Sequence, residues 1–71
     1  MKPMSTPAWR VYSAAIRAHR AGGGTVGLVE MRTAAELANA LKAGEVELAQ
    51  EKAEALRISL ADLPGLESDA G

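Results

Sequence analysis

The chain has 71 residues and no cysteine, so it forms one small domain at most and has neither a disulfide nor a cysteine-ligated zinc ion to stabilise it. Fifteen of its hydrophobic residues are alanine, with one tryptophan and one tyrosine, so we expect a small core and further stability from self-association or a protein partner. The net charge is −1, but no acidic residue precedes Glu30. The sequence therefore predicts a basic N-terminal part and an acidic C-terminal part.

The first predicted helix, at residues 7–21, is basic. Thr6 can cap its free amides and Pro7 suits its first position. On a helical wheel one flank is aromatic and aliphatic, and the arginines gather opposite. We predict partner contact through six residues of this helix: Trp9, Tyr12, Ile16, Arg10, Arg17 and Arg20. Alternatively, the three apolar side chains are the contribution of this helix to the hydrophobic core.

A glycine-rich connector is predicted at residues 22–32. The consecutive glycines from Gly22 to Gly24 end the helix because they lose too much backbone entropy to remain helical. Residues 25–31 are β-prone, so a short strand that pairs with its copy in a dimer is the alternative. Residues 22–27 match the dinucleotide pattern G-x-G-x-x-G, but that pattern requires a doubly wound sheet, so we interpret the segment as a flexible turn.

An antiparallel helical hairpin is predicted after the connector. Thr33 and Glu36 have the spacing of a capping box, which predicts a helix over residues 33–43. Gly44 then predicts the end of that helix. A single long helix over residues 33–63 is the alternative, because an internal glycine costs only about 1 kcal/mol. The sequence therefore predicts an all-α fold in which a basic helix, a connector and a hairpin follow one another.

The last helix is predicted at residues 45–63, where Pro64 ends it and a flexible tail at 64–71 follows. Apolar residues spaced by four and three positions predict a stripe used for oligomerisation or for the core: Ala49, Ala53, Leu56, Leu60 and Leu63. Three acids on one side predict a docking stripe for cations: Glu47, Glu51 and Glu54.

Reactive side chains are too sparse to predict an enzyme. The chain has one histidine, no cysteine and no aspartate before Asp62. His19 lies at the end of the first helix, where we expect a solvated ring that the helix dipole favours. We therefore predict no catalytic residues, no cofactor, no metal site and no small-molecule substrate.

The expected function is a non-catalytic protein–protein interaction module, such as an adaptor, an inhibitor or an assembly component. We expect a homo-oligomer or an obligate complex, in which the arginine strip of the first helix meets the glutamate stripe within the chain or between subunits. The alternative is a small nucleic-acid-binding or transcription-regulating dimer that uses the basic helix, with Trp9 and Tyr12 stacked on bases. A strand at 25–31 followed by two helices resembles the ribbon-helix-helix repressors in topology alone, since its outward residues carry no cation.

A cytoplasmic protein without a membrane partner is expected. No apolar run is long enough to span a bilayer, and no charged-then-apolar leader is present. An organellar targeting peptide at residues 1–29 is the alternative, because this segment contains arginines and no acid.

Overall fold

The protein consists of three α-helices and one short 3-10 helix in the computed structural model, which describes residues 7–63. The elements are α1 at Ala8–Ala21, α2 at Leu28–Ala43, α3 at Val46–Ala55 and the 3-10 helix at Leu60–Asp62. α2 packs against both α1 and α3. The all-α prediction is confirmed. The possible strand at 25–31 is wrong, because this part of the chain forms no strand and the segment runs into α2.

α1 agrees with the helix predicted at 7–21. The carbonyl of Pro7 accepts a hydrogen bond from the N–H of Arg10 at 3.0 Å. The first turn therefore closes on the proline, whose missing N–H would have no partner inside the helix. Thr6, the predicted cap, lies outside the described residues.

α1 and α2 both end at a glycine with left-handed backbone geometry. The φ angle is 91° at Gly23 and 80° at Gly44. After α2, the N–H of Gly44 donates to Leu41 O at 3.1 Å and the N–H of Glu45 donates to Ala40 O at 2.8 Å. These two bonds form a Schellman motif, which ends the helix and reverses the chain. The predicted hairpin is confirmed, and the single long helix is wrong.

α2 begins at Leu28, whereas the sequence predicted a start at Thr33. The carboxylate of Glu30 accepts a hydrogen bond from the N–H of Gly27 at 2.9 Å and so satisfies a free amide at the helix start. The hydroxyl of Thr33 instead donates to the carbonyl of Val29, one turn earlier in the same helix, at 2.9 Å. The capping box predicted at Thr33 is therefore wrong, and the connector is correspondingly shorter.

α3 ends at Ala55, whereas the prediction extended it to Leu63. The N–H of Ile58 donates to the carbonyl of Ala53 at 3.0 Å, which again closes a Schellman motif. The left-handed position of this motif is occupied by Arg57, with φ of 58°. The helix therefore ends at a residue whose type gives no stop signal.

The chain after α3 returns to the core through the 3-10 helix. Its start is capped by Ser59, whose Oγ accepts a hydrogen bond from the N–H of Ala61 at 3.2 Å. Leu63 is buried and Leu60 is half-buried, so both reach the core from this turn and not from α3. The other residues of the predicted apolar stripe are also buried in the core: Ala49, Ala53 and Leu56. Pro64 and the predicted tail lie outside the described residues.

The core is built largely from alanine. Leu37, Leu56 and Val11 are the largest fully buried side chains. The remaining core residues are these: Ala15, Ala34, Ala38, Ala40, Leu41, Ala49, Ala53 and Leu63. Small side chains bring the helices close together but remove little apolar surface from water, so each large buried residue carries an unusually large share of the stability.

None of the helices at residues 7–63 combines the length and the apolar composition needed to cross a bilayer.

Candidate interaction surface

The structure separates the apolar residues predicted on α1 into two groups. The side chain of Trp9 is 63% exposed. Tyr12 and Ile16 are half-buried and pack against the core. Trp9 is therefore the residue of this set that is free to contact a partner, while the other two also support the fold. The three predicted arginines are all exposed: Arg10, Arg17 and Arg20.

Trp9 is accompanied by a cation. The guanidinium carbon of Arg10 lies 5.6 Å from the centroid of the indole ring. At this distance the ring face attracts the charge, and such a pair contributes about 0.5–1 kcal/mol at an exposed site.

A groove runs between α1 and the start of α2, with a volume of about 290 Å³. Its apolar lining comes from Tyr12, Ile16, Val26 and Met31. The remaining lining residues are polar or cationic: Ser13, Arg17 and Arg20. An apolar groove beside two arginines is suited to a ligand that is itself apolar and acidic.

The first turn of α2 exposes two large apolar side chains. Leu28 is 82% exposed and Val29 is 72% exposed. Leu28 precedes Met31 by three positions, so both lie on one side of α2. The sequence prediction missed Val26, Leu28 and Met31 because it placed them in a connector. Their apolar character inside a glycine-rich segment was the available signal.

The glutamate stripe lies on α3, on the side away from the core. Glu47, Glu51 and Glu54 are exposed. The ion pair among residues 7–63 joins Lys52 Nζ to Glu36 Oε1 at 3.0 Å and therefore links α3 to α2. The predicted contact between the arginine strip and the glutamate stripe is therefore not formed within the described part of the chain. A contact between the arginine strip of one subunit and the glutamate stripe of another stays a prediction.

His19 is not the solvated residue that the sequence predicted. Its ring is half-buried, with Nδ1 2.9 Å from the carbonyl oxygen of Leu56 and Nε2 2.9 Å from the carbonyl oxygen of Thr25. The ring thus connects the end of α1 to the connector and to the end of α3. Gly24 lies against the ring, and a Cβ atom there would overlap the imidazole, so a larger residue would force the ring to move. Both ring nitrogens therefore face a backbone carbonyl oxygen.

Glu30 lies in the same region as His19. Together with Arg57 and the glycines of the connector, these residues line a shallow pocket of about 360 Å³. The hydrogen bond from the N–H of Gly27, the N–H of Glu30 itself and the charge of His19 lower the pKa of the Glu30 carboxyl from its ordinary value of 4.5. The folded state therefore favours the ionised carboxylate.

Glu30→Gln is expected to lower the melting temperature at neutral pH, because the amide accepts the Gly27 hydrogen bond without a charge. A lowered pKa gives stability that is complete above the ordinary value and is lost as the pH falls through the folded value. The difference between wild type and variant should therefore shrink as the pH falls below the ordinary value of 4.5. Thermal unfolding across this range measures it, with the exposed Glu54→Gln as control. An equal difference at every pH would contradict the assigned cap.

Comparison with models of known protein families, with curated protein sequences and with solved structures gives no significant match.

Proposed function

We propose that this protein is a non-catalytic protein–protein interaction module of the cytoplasm, which binds a segment that carries acidic residues beside apolar ones. The observation that carries the proposal is the exposed Trp9, which precedes the groove-lining Tyr12 by three positions on α1. Two arginines of the same helix also line the groove. An adaptor, an inhibitor or an assembly component would each use such a surface. Tryptophan, tyrosine and arginine are the residue types enriched at the energetic centres of protein interfaces.

The apolar residues supply the affinity in this proposal. Trp9 and Leu28 are both large and mostly exposed, although the core of the chain contains few large side chains. Burial of an exposed side chain of this size contributes about 1.5–3 kcal/mol. A partner that covers the groove would therefore stabilise the fold as well as the complex.

The arginines select the partner. Arg10, Arg17 and Arg20 are exposed on α1, and no acid occurs on this helix. Each exposed ion pair contributes about 0–1 kcal/mol, so the charges set orientation and association rate more than affinity. A basic surface of this kind favours an acidic amphipathic helix and disfavours a basic one.

In the self-associating form of this proposal, the partner is a second copy of the chain. Arg10 and Arg17 are separated by seven residues, as are Glu47 and Glu54. Each pair therefore spans about 10.5 Å along its helix. Contact between α1 of one copy and α3 of another, in either orientation, would match the two pairs.

A nucleic acid is the second candidate partner. The exposed Trp9 beside Arg10 provides the aromatic and cationic groups on which a base can stack. The exposed acids of α3 and the sequence pI of about 5.7 disfavour it, because they repel phosphate.

The test uses a fluorescently labelled amphipathic helical peptide with leucines on one face and glutamates beside them, titrated with the full chain and followed by anisotropy. Binding is expected to weaken with added salt, and the same peptide with lysine for glutamate should not bind. Titration of labelled single-stranded DNA with the chain tests the nucleic-acid partner. Sedimentation of the chain alone tests self-association. If neither the acidic peptide nor a second copy of the chain associates with the protein, the proposal is wrong.

Trp9→Ala is expected to weaken binding of the acidic peptide at least tenfold, since hot-spot truncation costs about 2 kcal/mol or more. The same change should leave circular dichroism and melting temperature nearly unchanged, because the indole is mostly exposed. Val46→Ala is the matched control, as Val46 is 54% exposed on α3. Loss of helicity in Trp9→Ala would show that the indole serves the fold.

A further inference from the structure

We propose that the face of the protein around the groove between α1 and the start of α2 adsorbs to the surface of an anionic lipid bilayer. This face combines exposed apolar side chains with arginines. Trp9 is 63% exposed, Leu28 is 82% exposed and Met31 is 38% exposed. Arg17 and Arg20 are exposed and line the groove. Apolar and cationic side chains together attach a folded protein to anionic lipid without crossing it.

The exposed apolar side chains lie on the groove side of their helices. Trp9 precedes Ile16, which lines the groove, by seven positions, so both project from the same side of α1. Met31 lines the groove from α2, and Leu28 precedes it by three positions. Both helices therefore present a large exposed apolar residue on the side that lines the groove. A bilayer accepts such residues without a matching shape, because apolar side chains enter lipid independently of one another.

The charges on this face favour an anionic surface. α1 carries Arg10, Arg17 and Arg20 and no acid. Among residues 7–63, no acid lines the groove. Glu30, the first acid after α1, lines a different pocket together with His19. The glutamate stripe lies on α3, which contributes no residue to the groove. A negative lipid surface is therefore attracted to the groove face and meets little repulsion there.

The pair of Trp9 and Arg10 suits the boundary between lipid and water. The guanidinium carbon of Arg10 lies 5.6 Å from the centroid of the indole ring. An indole has an apolar body with one N–H group, and for this reason tryptophan is enriched at the level of the lipid headgroups. Arginine keeps its apolar stem against apolar groups while its charge reaches the phosphates. The pair therefore offers apolar contact and phosphate contact side by side.

Adsorption differs from the membrane role that the sequence excluded. The sequence predicted no membrane partner because no apolar run is long enough to span a bilayer. Adsorption has no such length requirement, because the side chains reach only the headgroups and the adjacent part of the acyl chains. The inference goes beyond the proposed protein partner, although the two ligands would cover the same face.

The test mixes the full chain with vesicles made of equal parts of phosphatidylcholine and phosphatidylserine. Trp9 is the single tryptophan of the chain, so its fluorescence reports directly on this face. We expect emission at shorter wavelength and quenching by brominated acyl chains, because the indole leaves water. Pure phosphatidylcholine vesicles, and the mixed vesicles at high salt, should bind much less of the chain. Unchanged emission with the mixed vesicles overturns the proposal, and so does equal binding to both kinds of vesicle.

Two variants with the same change of charge test the assigned face. Arg17→Gln is expected to weaken binding to the mixed vesicles about fivefold, the contribution of one cation near an anionic membrane. Arg57→Gln is the matched control and should weaken binding much less, because Arg57 lines the other pocket. Both arginines are exposed, so circular dichroism should be unchanged in both variants. Equal weakening by the two variants would show attraction to net charge alone and would overturn the assigned face.

Failure of this proposal can be distinguished from failure of the proposed function. The acidic peptide without vesicles tests the protein partner, and vesicles without the peptide test the bilayer. If both bind, the peptide is expected to displace the chain from the vesicles, because both ligands would cover the arginines of α1. Simultaneous binding would place the lipid on a different face and would overturn the inference.

Discussion

Leu37→Ala is expected to remove most of the protein's free energy of unfolding at room temperature. Leu37 lies in α2, is fully buried and is one of the three largest fully buried side chains in the described residues. Truncation of a buried leucine to alanine costs about 2–5 kcal/mol. A domain of this size has a free energy of unfolding of only about 3–5 kcal/mol, so the variant would lose most of its stability. Urea denaturation followed by far-ultraviolet circular dichroism measures the loss.

Leu48→Ala provides the matched control. Leu48 lies on α3 and is 38% exposed, so the same truncation removes less buried surface and leaves a smaller cavity. Its cost is expected to be about 1 kcal/mol or less. If both variants lost equal stability, the proposed alanine-rich core around Leu37 would be incorrect. Stability that rises with protein concentration would instead show that self-association contributes to the fold.

Local signals in the sequence were sufficient to predict α1 and the turn between α2 and α3. Pro7 and the run of glycines after residue 21 mark the two ends of α1, and each acts through its own backbone geometry. Gly44 adopts the positive φ that its position after α2 requires. Signals of this kind depend on neighbouring residues alone, so a single sequence is enough to read them.

The start of α2 was misread because two similar signals compete there. Gly27 and Glu30 have the same spacing as Thr33 and Glu36, and glycine is an acceptable residue at a helix start. The valines near Gly27 suggested a strand, but β propensity depends on a pairing partner, which residues 7–63 do not offer. The earlier start adds a further turn of helical hydrogen bonds.

The role of His19 could not be predicted, because one of its two acceptors, the carbonyl of Leu56, is 37 residues away in sequence. The candidate surface was predictable in part. The helical wheel placed Trp9 among partner contacts, but it gave no means of separating this residue from Tyr12 and Ile16, which also pack on the core. That separation depends on how α2 crosses α1, which is a property of the tertiary structure.

Gly44→Ala is expected to destabilise the protein by about 1–2 kcal/mol. No atom lies within 4 Å of a Cβ built at Gly44, so the alanine causes no clash. The cost comes from the left-handed backbone, which an L-residue adopts at about 1–2 kcal/mol. A straight helix through this position would avoid the strain, but it would separate α3 from α2 and expose the core. The alanine should therefore lower the melting temperature without converting the fold.

Arg57→Gly is expected to have the opposite effect on stability and to raise the free energy of unfolding. Arg57 occupies the same position of a Schellman motif after α3, with φ of 58°. Glycine relieves the backbone strain there, although it also gives the unfolded chain more freedom, so the net gain is expected to be about 1 kcal/mol or less. The two variants are compared by thermal unfolding under identical conditions. A lower melting temperature for Gly44→Ala with a higher one for Arg57→Gly supports left-handed stops at both helix ends. Two changes in the same direction would contradict the backbone geometry assigned to one of them.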